Sequence, residues 1–114
     1  MVRKLGLWLG AIALGGLLFC QAAWAESTRE GAALFQANCR MCHSQGRNLI
    51  VPEKNLQQKT LERFAMNSQG AIARQVKYGK NVMPAFGESL SDEQIAAIAD
   101  YVLDQAAQGW PSAA

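Results

Sequence analysis

One hundred and fourteen residues leave room for one domain, and Lys and Arg exceed Asp and Glu by only two. No basic stripe is interleaved with aromatics, so nucleic acid is not an expected partner, and a near-neutral protein steers partners only through local patches. Three cysteines, four methionines and a single histidine bound the site chemistry.

Residues 1–25 read as an export signal. Arg3 and Lys4 form a positive start, Leu5 to Phe19 is uncharged and mostly apolar, and Ala23-Trp24-Ala25 places small residues where a signal peptidase reads them. Cleavage is expected after Ala25. The alternative is a retained membrane anchor, but the apolar run is shorter than the ~20 residues a spanning helix needs. Cys20 follows the bulky Phe19, which suits no lipoprotein cleavage site, so it leaves with the signal. Removing Arg3 and Lys4 balances the charge. Both remaining cysteines then belong to one motif. The expected domain covers 26–110, with 111–114 as a short tail.

Ser27-Thr28-Arg29-Glu30 fits a capping box opening the first helix. Leu34, Phe35 and Asn38 continue it into Cys39. Gly31 has no side chain, so another helix can cross closely there. It costs the helix roughly 1 kcal/mol relative to alanine.

Cys39-Arg40-Met41-Cys42-His43 is the spacing of a c-type haem attachment site. Two thiols on one helical turn can add across the two vinyl groups of a haem, and the next residue offers an imidazole to the iron. Two other readings are weaker. A redox-active dithiol belongs beside a strand-helix unit, and no strand pattern occurs here. Zinc wants four ligands, and after processing only Cys39, Cys42 and His43 remain of Cys and His. A short chain has little core of its own, and a haem fastened at two points would serve as its centre.

Ser44 to Asn55 reads as a loop around the haem edge, with Lys54 able to meet a propionate or stay solvated. Lys59 to Ala65 is a short helix with Leu61 and Phe64 inward. Asn67 or Ser68 caps the next helix, which carries Ile72, Gln75, Val76 and Tyr78 and ends at Gly79. Gln75 shares a face with Ile72 and Val76, so its amide needs a partner or water. Lys80 to Leu90 is a second loop. Ser91-Asp92-Glu93-Gln94 is a capping box opening a last helix to about Gln108, with Ile95, Ile98, Val102 and Ala106 on one face and Gly109 and Pro111 ending it. The whole pattern is helical.

A haem held by one histidine keeps an open face for gases or peroxide. A thioether closes that face and raises the potential. Met41 lies between the tethering cysteines and cannot reach across. Met66 reads as core filling. Met83 lies in a loop long enough to cross the haem, and Pro84 stiffens that loop. Iron between His43 and Met83 changes oxidation state with little rearrangement and calls for no nucleophile or general base. The expected function is one-electron transfer, not catalysis. A haem sensor or peroxidase would need Met83 to dissociate readily.

Gly31 to Phe35, Asn38-Cys39, Cys42-His43, Met66-Asn67-Ser68, Gln75-Val76, Gly79-Lys80-Asn81, Met83-Pro84-Ala85-Phe86-Gly87, Tyr101-Val102-Leu103 and Gly109-Trp110 resemble cytochrome c6. That family comprises soluble class I c-type cytochromes of the photosynthetic lumen. The resemblance spans nearly all of 27–110. It implies an all-α class I cytochrome c fold, about four helices around one covalent haem c. It places the tethers at Cys39 and Cys42, the iron between His43 and Met83, and Gln75 near the haem. It matches Asn48 and Lys54 to positions around the haem edge and propionates. It further implies a monomer without a stable membrane anchor, exported to the thylakoid lumen or periplasm. The implied donor is the cytochrome b6f complex, and the acceptor is photosystem I or a terminal oxidase. One departure stands out. The family usually carries Gly-Gly-Arg-Leu where this chain has Gly87-Glu88-Ser89-Leu90. The arginine implicated in docking to photosystem I is Ser89 here. The departure leaves the acceptor open.

Overall fold

A computed structural model describes residues 8–112, with side chains from Cys20 onward. Five α-helices occur in it: α1 Trp8–Asn38, α2 Arg40–His43, α3 Gln58–Arg63, α4 Gln69–Tyr78 and α5 Asp92–Ala107. Two 3-10 turns, Ser44–Gly46 and Pro52–Lys54, punctuate the loop after α2. An isolated bridge between Lys80 and Met83 is the only β pairing among the described residues. The all-α expectation is met.

Helix α5 is the hub, packing against both α1 and α4. Its start is the capping box read from the sequence. Gln94 N donates to Ser91 Oγ at 3.1 Å, and Ser91 N donates to Gln94 Oε1 at 3.0 Å. Ile95, Ile98, Val102 and Ala106 are all buried. They close on Phe35 of α1, Leu61 of α3, and Ile72 and Val76 of α4. Each large side chain so buried contributes about 1.5–3 kcal/mol relative to exposure. Helices α1 and α5 cross at Gly31, where a methyl group would overlap the Ala97 carbonyl and meet Tyr101 Cβ at 3.0 Å. Ser68, not Asn67, caps α4, accepting from Ala71 N at 3.2 Å. Gly79 ends that helix at φ 70°.

Two local expectations are corrected. The capping box at Ser27 does not form, because α1 runs straight through it. Nothing between Trp8 and Asn38 breaks a helix, so Ser27 is an interior residue with its backbone already engaged. The Thr28 hydroxyl donates instead to the Trp24 carbonyl at 2.9 Å, one turn back. Phe64 is also not inward. It follows the last residue of α3 in a non-helical conformation and is 43% exposed. Its ring lies under Lys54 Nζ at 5.8 Å and Arg63 Cζ at 5.6 Å. The expected export signal falls partly on residues 1–7, outside the described residues. Among the described residues no helix is long and apolar enough to cross a membrane.

Candidate haem site

Helix α1 ends at Asn38, and the chain turns at once into the four-residue α2. Cys39 N bonds back to the Phe35 carbonyl at 2.8 Å, so the first cysteine is carried on the end of α1, one turn past the buried Phe35. Cys42 N and His43 N both bond to the Cys39 carbonyl, at 3.2 and 2.9 Å. That single turn holds both thiols and the imidazole. Neither cysteine is in a disulfide, and both are half-buried. Burial pushes the Cys39 thiol up from its ordinary 9.0 to about 11. A thiol-exchange dithiol needs a lowered value to supply thiolate, so the environment opposes that chemistry. Among the described residues no three His, Cys, Asp or Glu side chains gather as a zinc site requires.

The histidine is oriented by its own loop. His43 Nδ1 lies 2.9 Å from the Arg47 carbonyl. A carbonyl only accepts, so Nδ1 carries a proton, and in the neutral imidazole Nε2 is the nitrogen with the free lone pair. This is the usual way in which a metal-binding imidazole is held by its second nitrogen. The loop is tied down in turn: Leu49 N bonds to the Cys42 carbonyl at 2.9 Å, and Leu56 N to the Gly46 carbonyl at 2.7 Å.

Met83 comes from the other side of the chain. Its backbone pairs twice with Lys80, N to O at 3.0 Å in each direction. Asn81, in the turn between them, takes φ 54°, which asparagine tolerates better than most residues. The loop then locks onto the end of α4. Phe86 N bonds to the Val76 carbonyl at 2.9 Å, and Gly87 N to the Lys77 carbonyl at 3.1 Å. Gly79 lies beneath it, where a Cβ would come within 2.7 Å of the Met83 carbonyl. The half-buried Met83 thioether accepts from Gln75 Nε2 at 3.5 Å. Gln75 thereby has the partner that its place on an apolar stripe demanded. Cys39 and Met83, far apart in sequence, both pack against the same buried core. Met66 does so too, and Met41 is 88% exposed.

Asn48 and Lys54 are joined to each other. Asn48 Nδ2 donates to the Lys54 carbonyl at 2.9 Å, and Asn48 Oδ1 accepts from Val51 N at 2.9 Å and Ile50 N at 3.2 Å. The Asn48 amide therefore shapes the loop. The Lys54 ammonium projects over Phe64. A cleft of about 380 Å³ opens beside the attachment turn, walled by Met41, Cys42, Gly46, Asn48, Leu49 and Pro52 among others. Exposed apolar side chains at Leu49, Ile50, Tyr78 and Val82 mark the two site loops and the end of α4.

Sequence reasoning gave Trp110 no role beyond the family match, yet it is 7% exposed and donates from Nε1 to the Leu56 carbonyl at 2.9 Å. A large aromatic one residue past a helix stop was the available signal. The donor set suits a c-type haem: two unpaired thiols on one turn, an imidazole with Nε2 free, and a thioether held by an amide. In such a site Cys39 and Cys42 would tether the porphyrin and His43 and Met83 would face the iron.

Comparison with known proteins agrees. The family profile described as cytochrome c oxidase, cbb3-type, subunit III matches residues 26–102. Cytochrome c6 of Parathermosynechococcus lividus is 54% identical over 80 residues, which is 70% of this chain and 92% of that one. Cytochrome c6 of Thermosynechococcus vestitus is 48% identical over 110 residues, covering 96% of this chain and 98% of the relative. The crystal structure of cytochrome c6 from the diatom Phaeodactylum tricornutum superimposes with a TM-score of 0.71 at 46% identity, over 73% of this chain and 98% of that one. With the fold, the attachment turn and these relatives in agreement, the chain belongs to the cytochrome c6 family, a family of electron carriers and not of enzymes.

Proposed function

We propose that this protein is a soluble one-electron shuttle of the photosynthetic lumen or periplasm, with a haem tethered by Cys39 and Cys42 and its iron ligated by His43 and Met83. The observation that carries this reading is the pairing of two prepared ligands. The His43 imidazole is fixed with Nε2 free, and the Met83 sulfur is fixed by the Gln75 amide. When bound, the haem supplies reversible one-electron chemistry. The chain's own work is positional. The α2 turn presents the thiols, Arg47 holds the imidazole, and Val76, Lys77 and Gly79 hold the loop that carries Met83. Ligands anchored on rigid elements move little when the iron changes charge, and small movement favours fast transfer. Leu49, Ile50, Tyr78 and Val82 give these loops an apolar surface. It suits brief contact with a partner whose mating face is also apolar.

The donor in this reading is the cytochrome b6f complex. The acceptor in this reading is photosystem I, and Ser89, standing where the family usually has arginine, makes a terminal oxidase the alternative. The Ser89 hydroxyl is exposed and donates to the Phe86 carbonyl at 3.3 Å, an uncharged contact.

Met83→Ala in the holoprotein tests the ligand set. A lower midpoint potential and carbon monoxide binding by the ferrous form are expected. An unchanged potential, with no carbon monoxide bound, would remove Met83 from the iron.

A further inference from the structure

Trp110 stands in the left-handed region, at φ 54°. A bulky side chain is a genuine outlier there, and such a conformation persists only where the surroundings over-determine it. The surroundings do so here. Trp110 N bonds to the Gln105 carbonyl at 2.8 Å. Its indole packs 5.4 Å from Phe35 and edge-on to Tyr101 at 6.1 Å, centroid to centroid. The indole also covers Gly46, so closely that a Cβ there would fall 2.5 Å from Nε1. Gly46 itself sits at φ 72°. A strained tryptophan is thus pressed onto a left-handed glycine beside the attachment turn.

A line of hydrogen bonds leads from this contact to the histidine. Trp110 Nε1 donates to the Leu56 carbonyl at 2.9 Å. Leu56 N donates to the Gly46 carbonyl at 2.7 Å, and Arg47 N donates to the Ser44 carbonyl at 3.1 Å. The peptide between Gly46 and Arg47 is therefore held at both its oxygen and its nitrogen. The next carbonyl along, that of Arg47, accepts the proton on His43 Nδ1.

We infer that Trp110 is a positioning residue for His43, its indole N–H fixing the loop whose Arg47 carbonyl holds the imidazole. The inference rests on the reading of His43 as an iron ligand. It adds a consequence for potential. A firm Nδ1–H to carbonyl bond makes the imidazole a better donor, and a better donor favours the oxidised iron. Loosening the bond moves the potential upward.

The test uses the ferrous holoprotein with 15N-labelled histidine. His43 is the single histidine, so one Nδ1–H signal reports the bond. Trp110→Phe keeps an aromatic ring and deletes the donor. Benzothienylalanine at position 110 keeps the indole's shape and deletes the same donor, should phenylalanine pack badly. Either change should speed exchange of the Nδ1 proton at least tenfold relative to the Ile98 amide, and raise the midpoint potential. Exchange that stays unchanged, or that rises only in step with Ile98, would reduce Trp110 to packing and overturn the inference. In the unaltered protein, an Nε2 resonance at the position of a free imidazole would instead remove His43 from the iron, whatever the Nδ1 proton does.

Discussion

The side-chain amide of Gln75 points its nitrogen at the sulfur of Met83, 3.5 Å away. Both residues hang from the same structure. Gln75 is on α4, and the Met83 loop is hydrogen-bonded to the last turn of α4 through the Val76 and Lys77 carbonyls. The thioether and the amide that faces it are therefore held by one element. With Met83 as the proposed ligand, an N–H donated to its thioether would withdraw density from sulfur and disfavour the more positive iron.

Gln75→Val should lower the midpoint potential while leaving the absorption spectrum nearly intact. A neutral hydrogen bond contributes about 1 kcal/mol, so the expected fall is on the order of 40 mV for one electron. Protein-film voltammetry reads it directly, and an unmoved potential would leave Gln75 a packing role only.

On the proposed ligation, Gly79→Ala should weaken the hold of Met83 on the iron while leaving the His43 and Met83 side chains in place. The backbone there, at φ 70° and ψ 173°, is essentially reserved for glycine and costs alanine about 1–3 kcal/mol, and its methyl would crowd the Met83 carbonyl and Ala85 N. The ferrous variant should bind carbon monoxide measurably and melt earlier. A variant that melts earlier but still refuses carbon monoxide would show that the loop does not depend on Gly79.

Gly31→Ala should cost about 1–3 kcal/mol, the usual penalty for a group with no room, because α1 and α5 touch at that point. Denaturant titration followed by far-UV circular dichroism measures the loss. The midpoint potential should hardly move, since the crossing lies at Ala97 and Tyr101 and not at the ligand loops.

Ser89→Arg should restore a cation at an exposed loop position beside Phe86. A several-fold faster reduction of photosystem I is expected at low ionic strength, fading as salt is added. Flash kinetics with no gain at any salt would mean that driving force, not docking, limits the reaction.

The parts of this molecule that depend on neighbours in sequence could be read from the sequence. The Ser91 box, the stop at Gly79 and the inward stripe of α5 each follow from local chemistry. Gly31 was legible because glycine in a helix needs a reason, and Phe35 one turn on supplied the face. What escaped depends on distant or competing partners. Phe64 fits an apolar stripe, but the helix ends just before it, and two cations cover the ring instead. The Ser27 box has the right letters, yet a cap requires the preceding residues to be non-helical, and here they continue α1. Asn48 matched a haem-edge position, but nothing in the sequence showed that its amide also bonds the Lys54 carbonyl and the amides of Ile50 and Val51. The attachment motif gave the thiols and the imidazole. It gave no hint that the Arg47 carbonyl would set the tautomer, because backbone acceptors leave no letter in a sequence.

The contact of Trp110 with Gly46 also has a topological consequence. Gly46 follows the Cys39–His43 turn and Trp110 follows α5, so the contact ties the segment after the last helix to the loop beside the first site turn. A pairing of such distant segments must be preceded by the ordering of the chain between them.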